Sequence, residues 1–248
     1  MPSLERLVSA SRRAVEERRG QLPLQDLEHA VAELEPIRPF TESLSGEDVD
    51  FVLRFERPDD AILEEAVDAG VAGLLVPTES ANGSDGLERL QRLAARTTLP
   101  LLEADVIVDP YQLYEARLAG ADGVILIAAA FEDRHDLQEL DAVARILGLE
   151  AVLEVGEEDE IESVLELIDP ESFLIRNYDE NGRLDFERTF TLLEEVPAGK
   201  VVLSQGGVRT RDEVVGLERA GVDGIVLGGW VLEGGLVPTL RQLRGDAR

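Results

Sequence analysis

Apolar positions along the chain follow two rhythms. At the start they recur three or four residues apart: Leu4, Leu7, Val8 and Val15, then, beyond Gly20 and Pro23, Leu24, Leu27, Val31 and Leu34. That spacing predicts two amphipathic helices, the first with Ser3 at its N-cap. Pro36 and Pro39 end the helical stretch. From residue 50 the rhythm changes. Short apolar runs at 51–55, 72–76, 100–106, 123–127, 151–155, 173–176, 201–204 and 224–227 alternate with charged stretches of helical period, such as 110–118, 136–147, 157–167 and 211–220. Strand alternating with helix predicts βαβ units and parallel strands.

An internal repeat supports that reading. Ala69-Gly70-Val71-Ala72-Gly73-Leu74-Leu75 recurs as Ala119-Gly120-Ala121-Asp122-Gly123-Val124-Ile125 and as Ala220-Gly221-Val222-Asp223-Gly224-Ile225-Val226. The first glycine suits the left-handed position that stops a helix. The second lies where the chain enters a buried strand. Eight such units fit a closed barrel better than an open sheet. The expected fold class is therefore α/β, a (β/α)8 barrel of the TIM type, with a helical extension over residues 1–45 and the barrel over 46–248.

Composition narrows the function classes. The 248 residues carry 52 acidic and 24 basic side chains, a net charge of −28. Such a charge repels phosphate backbones and argues against a nucleic-acid partner. It fits either a halophilic source or a GC-rich genome. No cysteine is present, which excludes disulfides, thiolate metal sites and a cysteine nucleophile. No His-x-His, His-Glu-x-x-His or calcium-loop spacing occurs, so no metal is expected. There is no apolar run of transmembrane length and no apolar signal core at the start, so neither a membrane partner nor export is expected. A cytoplasmic monomer or weak homodimer is the expectation. Lys200 is the sole lysine, so any ammonium chemistry must use it or do without.

In such barrels chemistry sits where strands end at their C-terminal side. Those ends supply Arg54 and Glu56, Thr78 and Glu79, Glu103 and Asp105, Glu154, Arg176 and Asn177, Gln205 and Gly206, and Gly228 and Gly229. Gly206-Gly207 and Gly228-Gly229 follow the last two strands, where phosphate sites of this fold are frequently built from backbone N–H groups. The alternative is that these glycines only make tight turns. Glu154 is expected to face the barrel mouth, as a general base or as the partner of Arg54 or Arg176. Asp105 is expected to cap the following helix or orient its neighbours. Trp230 either lines a pocket for an aromatic ligand or packs beneath the last helix. His29 and His135 read as surface residues, the latter in a solvated helix start.

The stretch from Asp105-Val106-Ile107-Val108-Asp109-Pro110 through Tyr111-Gln112-Leu113-Tyr114-Glu115-Ala116-Arg117 to Ala128-Ala129 resembles indole-3-glycerol phosphate synthases. So do Thr78-Glu79 with Asn82-Gly83-Ser84, Leu153-Glu154-Val155, and Arg38-Pro39-Phe40 ahead of the first strand. The resemblance spans nearly the whole chain. It implies a barrel of tryptophan biosynthesis, a cofactor-free carboxy-lyase that closes and decarboxylates a carboxyphenylamino-deoxyribulose phosphate to indole glycerol phosphate.

Against that family's pattern the charged residues are rearranged. The family carries a Glu and a Lys two residues apart on strand one; here these are Arg54 and Glu56, followed by a shortened loop, Arg57-Pro58-Asp59-Asp60. The Lys of its strand-three Lys-Asp pair, the general acid, is Ala104, with Asp105 retained. Its strand-six Asn is Arg176, followed by Asn177, and its Glu-Ser-Gly is Gln205-Gly206-Gly207. Glu154 alone is kept among the acid–base groups. Arginine stays protonated near neutral pH and donates protons poorly, but it clamps anions well. Three readings follow. The chain acts on the family substrate with rearranged groups such as Glu56 and Glu154; it is a divergent barrel acting on another phosphorylated small molecule; or it is a non-catalytic homologue that binds a phosphorylated ligand or a partner protein.

Overall fold

The computed structural model describes residues 3–44, 46, 48–56, 59–79, 85–179 and 181–245. Eight parallel strands close into a barrel in chain order: β1 (Asp50–Arg54), β2 (Gly73–Pro77), β3 (Leu101–Ala104), β4 (Gly123–Ile127), β5 (Glu150–Val155), β6 (Ser172–Arg176), β7 (Val201–Gln205) and β8 (Gly224–Leu227). Pairing of Asp50 with Gly224 and Leu53 with Leu227 completes the ring. Helices α3 (Asp60–Asp68), α4 (Asp85–Ala94), α5 (Pro110–Leu118), α6 (Arg134–Ile146), α7 (Glu158–Leu165), α8 (Arg188–Leu193), α9 (Arg211–Ala220) and α10 (Leu236–Arg244) form the outer shell. Ahead of the barrel lie α1 (Leu4–Gln21) and α2 (Leu24–Val31). The barrel is the (β/α)8 fold read from the alternating pattern.

Strand alternation divides the apolar side chains into two cores. Val52, Leu75, Leu102, Ile125, Val152, Leu174, Leu203 and Val226 fill the interior. Their neighbours, such as Leu74, Leu101, Val124, Leu153 and Ile225, face the helices. Phe40, fully buried, closes the N-terminal end of the interior. The repeat's glycines explain themselves here. Gly70, Gly120 and Gly221 take positive φ and stop α3, α5 and α9. A Cβ on Gly73 would lie 3.1 Å from the Phe40 ring, and one on Gly123 only 2.5 Å from the Glu150 carbonyl oxygen.

The extension is held by specific contacts. Arg18 Nε donates to Glu115 of α5 at 2.7 Å, and the Ser11 hydroxyl donates to the Val106 carbonyl at 2.7 Å. Val15, Leu27 and Tyr111 make a small core between the extension and α5.

Some local expectations change. Ser3 occupies the N-cap of α1, but its side chain makes no capping hydrogen bond. The second helix stops at Val31, well before Pro36. Strand three ends at Ala104, short of the expected 106, because the Asp105 carboxylate accepts the Val106 N–H at 2.7 Å and turns the chain. Asp105 therefore does not cap the next helix. Asp109 does, accepting the Tyr111 N–H at 2.8 Å.

Candidate functional site

Two residues beyond each interior core side chain, the strands deliver a ring of residues to the C-terminal mouth: Arg54, Pro77, Ala104, Ile127, Glu154, Arg176, Gln205 and Gly228. Read around the barrel, this ring has two halves. Pro77, Ala104 and Ile127 on β2–β4 are apolar or small. Glu154, Arg176 and Gln205 on β5–β7, with Arg54 on β1, are charged or polar.

Glu154 is joined to Arg176, whose Nε donates to Oε1 at 2.9 Å. Burial pushes the Glu154 carboxyl above its ordinary range, while Arg176, through charge and hydrogen bond, and Arg54, through charge, pull it back; Glu160 opposes them. The ion pair expected as one alternative is present, with Arg176 as the partner. The second arm of Arg176 reaches the Tyr178 carbonyl. Gly156 leaves room for this guanidinium, since a Cβ there would sit 2.7 Å from Nη2. Arg54 Nε meets Glu56 Oε1 at 3.0 Å in a much more open pair.

Neither lysine nor histidine enters the mouth among the described residues. Lys200 precedes β7 at the opposite end and pairs with Asp169. His135 is exposed near the start of α6, against Asp133, and His29 is exposed on α2.

The two glycine turns differ. Gly206 and Gly207 both take positive φ, 103° and 97°, and aromatic rings cover them. A Cβ on Gly206 would lie 2.4 Å from Tyr178, and one on Gly207 2.6 Å from Phe186. Gly229 has open space around its Cα and begins the short 3-10 turn Gly229–Leu232. Trp230 is half-buried in that turn, and the Arg209 guanidinium lies over its ring at 4.4 Å from the centroid. Arg209 extends the loop after Gly207, so this stack ties the two turns together.

Asn177, expected among the site residues at the strand ends, is fully buried instead. Its side-chain amide donates to the Ser204 hydroxyl at 3.1 Å and the Gly206 carbonyl at 3.0 Å, and its oxygen accepts from Thr189 at 2.8 Å. It supports the β7 turn from behind. Glu103 also faces away from the mouth, toward the helices. It is 2% exposed, takes the Thr78 hydroxyl at 2.7 Å on Oε1, and leaves Oε2 without a partner. Asn82-Gly83-Ser84 and Arg57-Pro58 lie outside the described residues. Sequence reading missed Arg209, Tyr178 and Phe186 as parts of this region. Their only prior signal was position in loops after β6 and β7.

Among the described residues, no cluster of three or more His, Cys, Asp and Glu is arranged to hold a metal, and no helix is long and apolar enough to cross a membrane.

Comparison with known proteins places this geometry. The model of the family described as indole-3-glycerol phosphate synthase matches residues 4–235. The indole-3-glycerol phosphate synthase of Leuconostoc mesenteroides is 30% identical, with 98% of this chain and 99% of the relative aligned. That of Dehalococcoides mccartyi is 31% identical, over 91% and 93%. Among solved structures, 3-hexulose-6-phosphate synthase from Salmonella typhimurium aligns with a TM-score of 0.67 at 16% identity, covering 79% of this chain and 97% of that one. A chain of the Pyrococcus furiosus tryptophan synthase complex gives 0.59 at 16% identity, over 80% and 98%. At these identities the structural likenesses bear on fold alone.

Proposed function

The chain belongs to the indole-3-glycerol phosphate synthase family, and from that premise we propose that its barrel binds a phosphorylated, anthranilate-derived sugar or a close analogue without catalysing the family's ring closure at a normal rate. The phosphate is assigned to the turns Gly206-Gly207 and Gly228-Gly229, through backbone N–H groups. A carboxylate elsewhere on the ligand is assigned to Arg54 and Arg176, with Gln205 beside them and Glu56 at the rim. The small and apolar arc of Pro77, Ala104 and Ile127 suits an aromatic ring.

One observation carries this reading: the mouth presents two guanidiniums and no ammonium, and its inward carboxylate, Glu154, is already engaged by Arg176. Closing the ring requires a proton delivered to the ketone oxygen, followed by loss of water. Ala104 donates nothing, and a guanidinium holds its protons at neutral pH. Loss of a positioned general acid lowers rate by about 10² to 10⁴. Glu154, drawn upward by burial, is the group best placed to exchange a proton slowly. Binding needs none of this, because guanidiniums and backbone amides recognise anions without proton transfer.

The test pairs binding with turnover. The carboxyphenylamino-deoxyribulose phosphate should raise the melting temperature of the protein, while indole product forms at least about 10²-fold more slowly than in a family member with its lysines. Adding both amines back, with Ala104→Lys and Glu56→Lys, should raise turnover. Product formation by the unaltered chain at an ordinary family rate would overturn the proposal, and so would the absence of any stabilisation by the ligand.

A further inference from the structure

We propose that Arg209, held over the Trp230 ring, is the cationic arm of the phosphate site, adding side-chain recognition of a phosphate monoester to the backbone turns. This rests on the assignment of phosphate to those turns and specifies how they discriminate charge.

Arg209 follows Gly207 and Val208 in the loop after β7, and Trp230 directly follows Gly229 after β8. The guanidinium carbon stands 4.4 Å from the indole centroid, so the stack crosses from one glycine turn to the other. Stacking on an aromatic face fixes the guanidinium plane while leaving the N–H groups at its edge free to donate, and a guanidinium loses little of its weak hydration there. The root of the arginine is fixed too. Its backbone N–H donates to Glu213 Oε2 at 2.7 Å, inside the Thr210–Glu213 capping box that starts α9.

The Arg209 guanidinium is not closed into an ion pair. No carboxylate among the described residues lies within ion-pair distance of its side chain. Glu213 is near enough to feel the Arg209 charge, but its carboxylate already accepts the Arg209 and Thr210 N–H groups and the Thr210 hydroxyl. In a chain of net charge −28, most arginines beside the barrel are engaged: Arg54 by Glu56, Arg176 by Glu154, Arg188 by Glu157. An exposed arginine left to an indole face, between two glycine turns, one of them open at Gly229, is equipped to take an anion. A phosphate dianion satisfies both the guanidinium edge and the adjoining amides.

Trp230 is the only tryptophan in the chain, so it reports on its own site. Inorganic phosphate, titrated at constant ionic strength against chloride, is the probe. Indole fluorescence should change saturably in the unaltered protein, and ³¹P NMR should give the same affinity. Arg209→Gln should weaken phosphate binding about tenfold or more, the loss expected for a charge-assisted hydrogen bond. Arg209→Lys should fall between, keeping charge without the planar fork. Trp230→Leu, read by ³¹P NMR, should weaken binding severalfold, and adding it to Arg209→Gln should cost little more. If phosphate binds the unaltered protein and Arg209→Gln binds it equally well, the arm assignment is overturned while phosphate recognition by the turns stands. If phosphate does not bind the unaltered protein at all, both readings fall together.

Discussion

The two ends of the barrel use the same kinds of side chain in opposite ways. At the N-terminal end three carboxylates are matched by backbone donors. Glu150 accepts the Phe40 and Thr41 N–H groups at 2.9 and 2.8 Å, together with the Thr41 hydroxyl. Asp122 accepts the Arg38 and Leu101 N–H groups, both at 2.8 Å, and pairs with the Arg38 guanidinium. Asp223 takes the Val202 N–H at 2.7 Å. At the mouth the inward carboxylate is matched by a side chain instead: Glu154 depends on the Arg176 guanidinium. Outside the mouth, behind β3, Glu103 keeps an orphan oxygen. Polar groups at the closed end hold the backbone, whereas the charged side chains at the mouth hold one another. That division follows the usual separation of stability and function in this fold.

Removing the plug breaks the comparison most severely. Phe40→Ala opens a cavity beneath Leu75 and Leu102 and should cost about 3–5 kcal/mol in urea unfolding. Phosphate affinity of the folded protein should be unchanged, because Phe40 lies at the strand starts, beside Gly73 and Glu150, at the other end from the mouth. A parallel loss of affinity would mean the two ends are coupled.

Next in size is a pH effect seated behind β3. Burial, with the charge of Asp105, pushes the Glu103 carboxyl up to about 8, against the opposing hydrogen bond from Thr78. Its ordinary value is near 4.5. Between those two values the folded chain binds a proton that the unfolded chain releases. Stability therefore falls as pH rises through that window, by up to about 4 kcal/mol. Glu103→Gln should flatten this slope and leave the protein more stable than the parent at pH 8. Denaturant midpoints from pH 5 to 8 decide it; an equally steep slope in Glu103→Gln would assign the effect to other carboxylates.

This contrast also explains what could be read before the structure. Strand β4 and helices α5 and α9 have the predicted bounds, because glycine in the left-handed conformation punctuates a chain whatever surrounds it. The period of two places Glu154 and Ala104 inward and Glu103 outward. What escaped notice depends on side chains meeting across loops. No spacing announces that Arg209 will lie on Trp230, or that Tyr178 will cover Gly206. Position alone, just past a strand end, suggests a pocket residue at Asn177. Its neighbour Arg176 takes the inward position, and the alternation sends Asn177 behind the strand to Ser204 and Thr189. By residue type Asp105 and Asp109 serve equally as caps before Pro110; only Asp109 has the offset that reaches the Tyr111 N–H.

Within the mouth the two arginine pairs should differ. Arg176→Gln removes the cation that holds Glu154, and the remaining carboxyl should respond by titrating at higher pH, visible by ¹³C NMR, with a stability loss of about 1–3 kcal/mol at neutral pH. Arg54→Gln breaks an exposed pair and should change stability by less than about 1 kcal/mol. Both should weaken a carboxylate-bearing ligand. Equal stability losses would show that Glu154 does not rely on Arg176.

The smallest effect separates a cap that only caps from one that also positions a ligand-binding group. Thr210 and Asp133 each accept a backbone N–H at the start of a helix, α9 and α6, on opposite sides of the barrel. Removing either side chain with Thr210→Ala or Asp133→Ala should cost about 1 kcal/mol. The consequences for phosphate should diverge. Asp133 lies in the loop after β4, away from both glycine turns, so its loss should leave affinity alone. Thr210 holds Glu213, and Glu213 holds the backbone of Arg209. Loosening that box frees the root of the stacked arginine, so Thr210→Ala should weaken phosphate binding by a few-fold even though Thr210 itself is not assigned to the ligand. Equal phosphate affinities in the two variants would show that Trp230 alone suffices to hold the guanidinium in place.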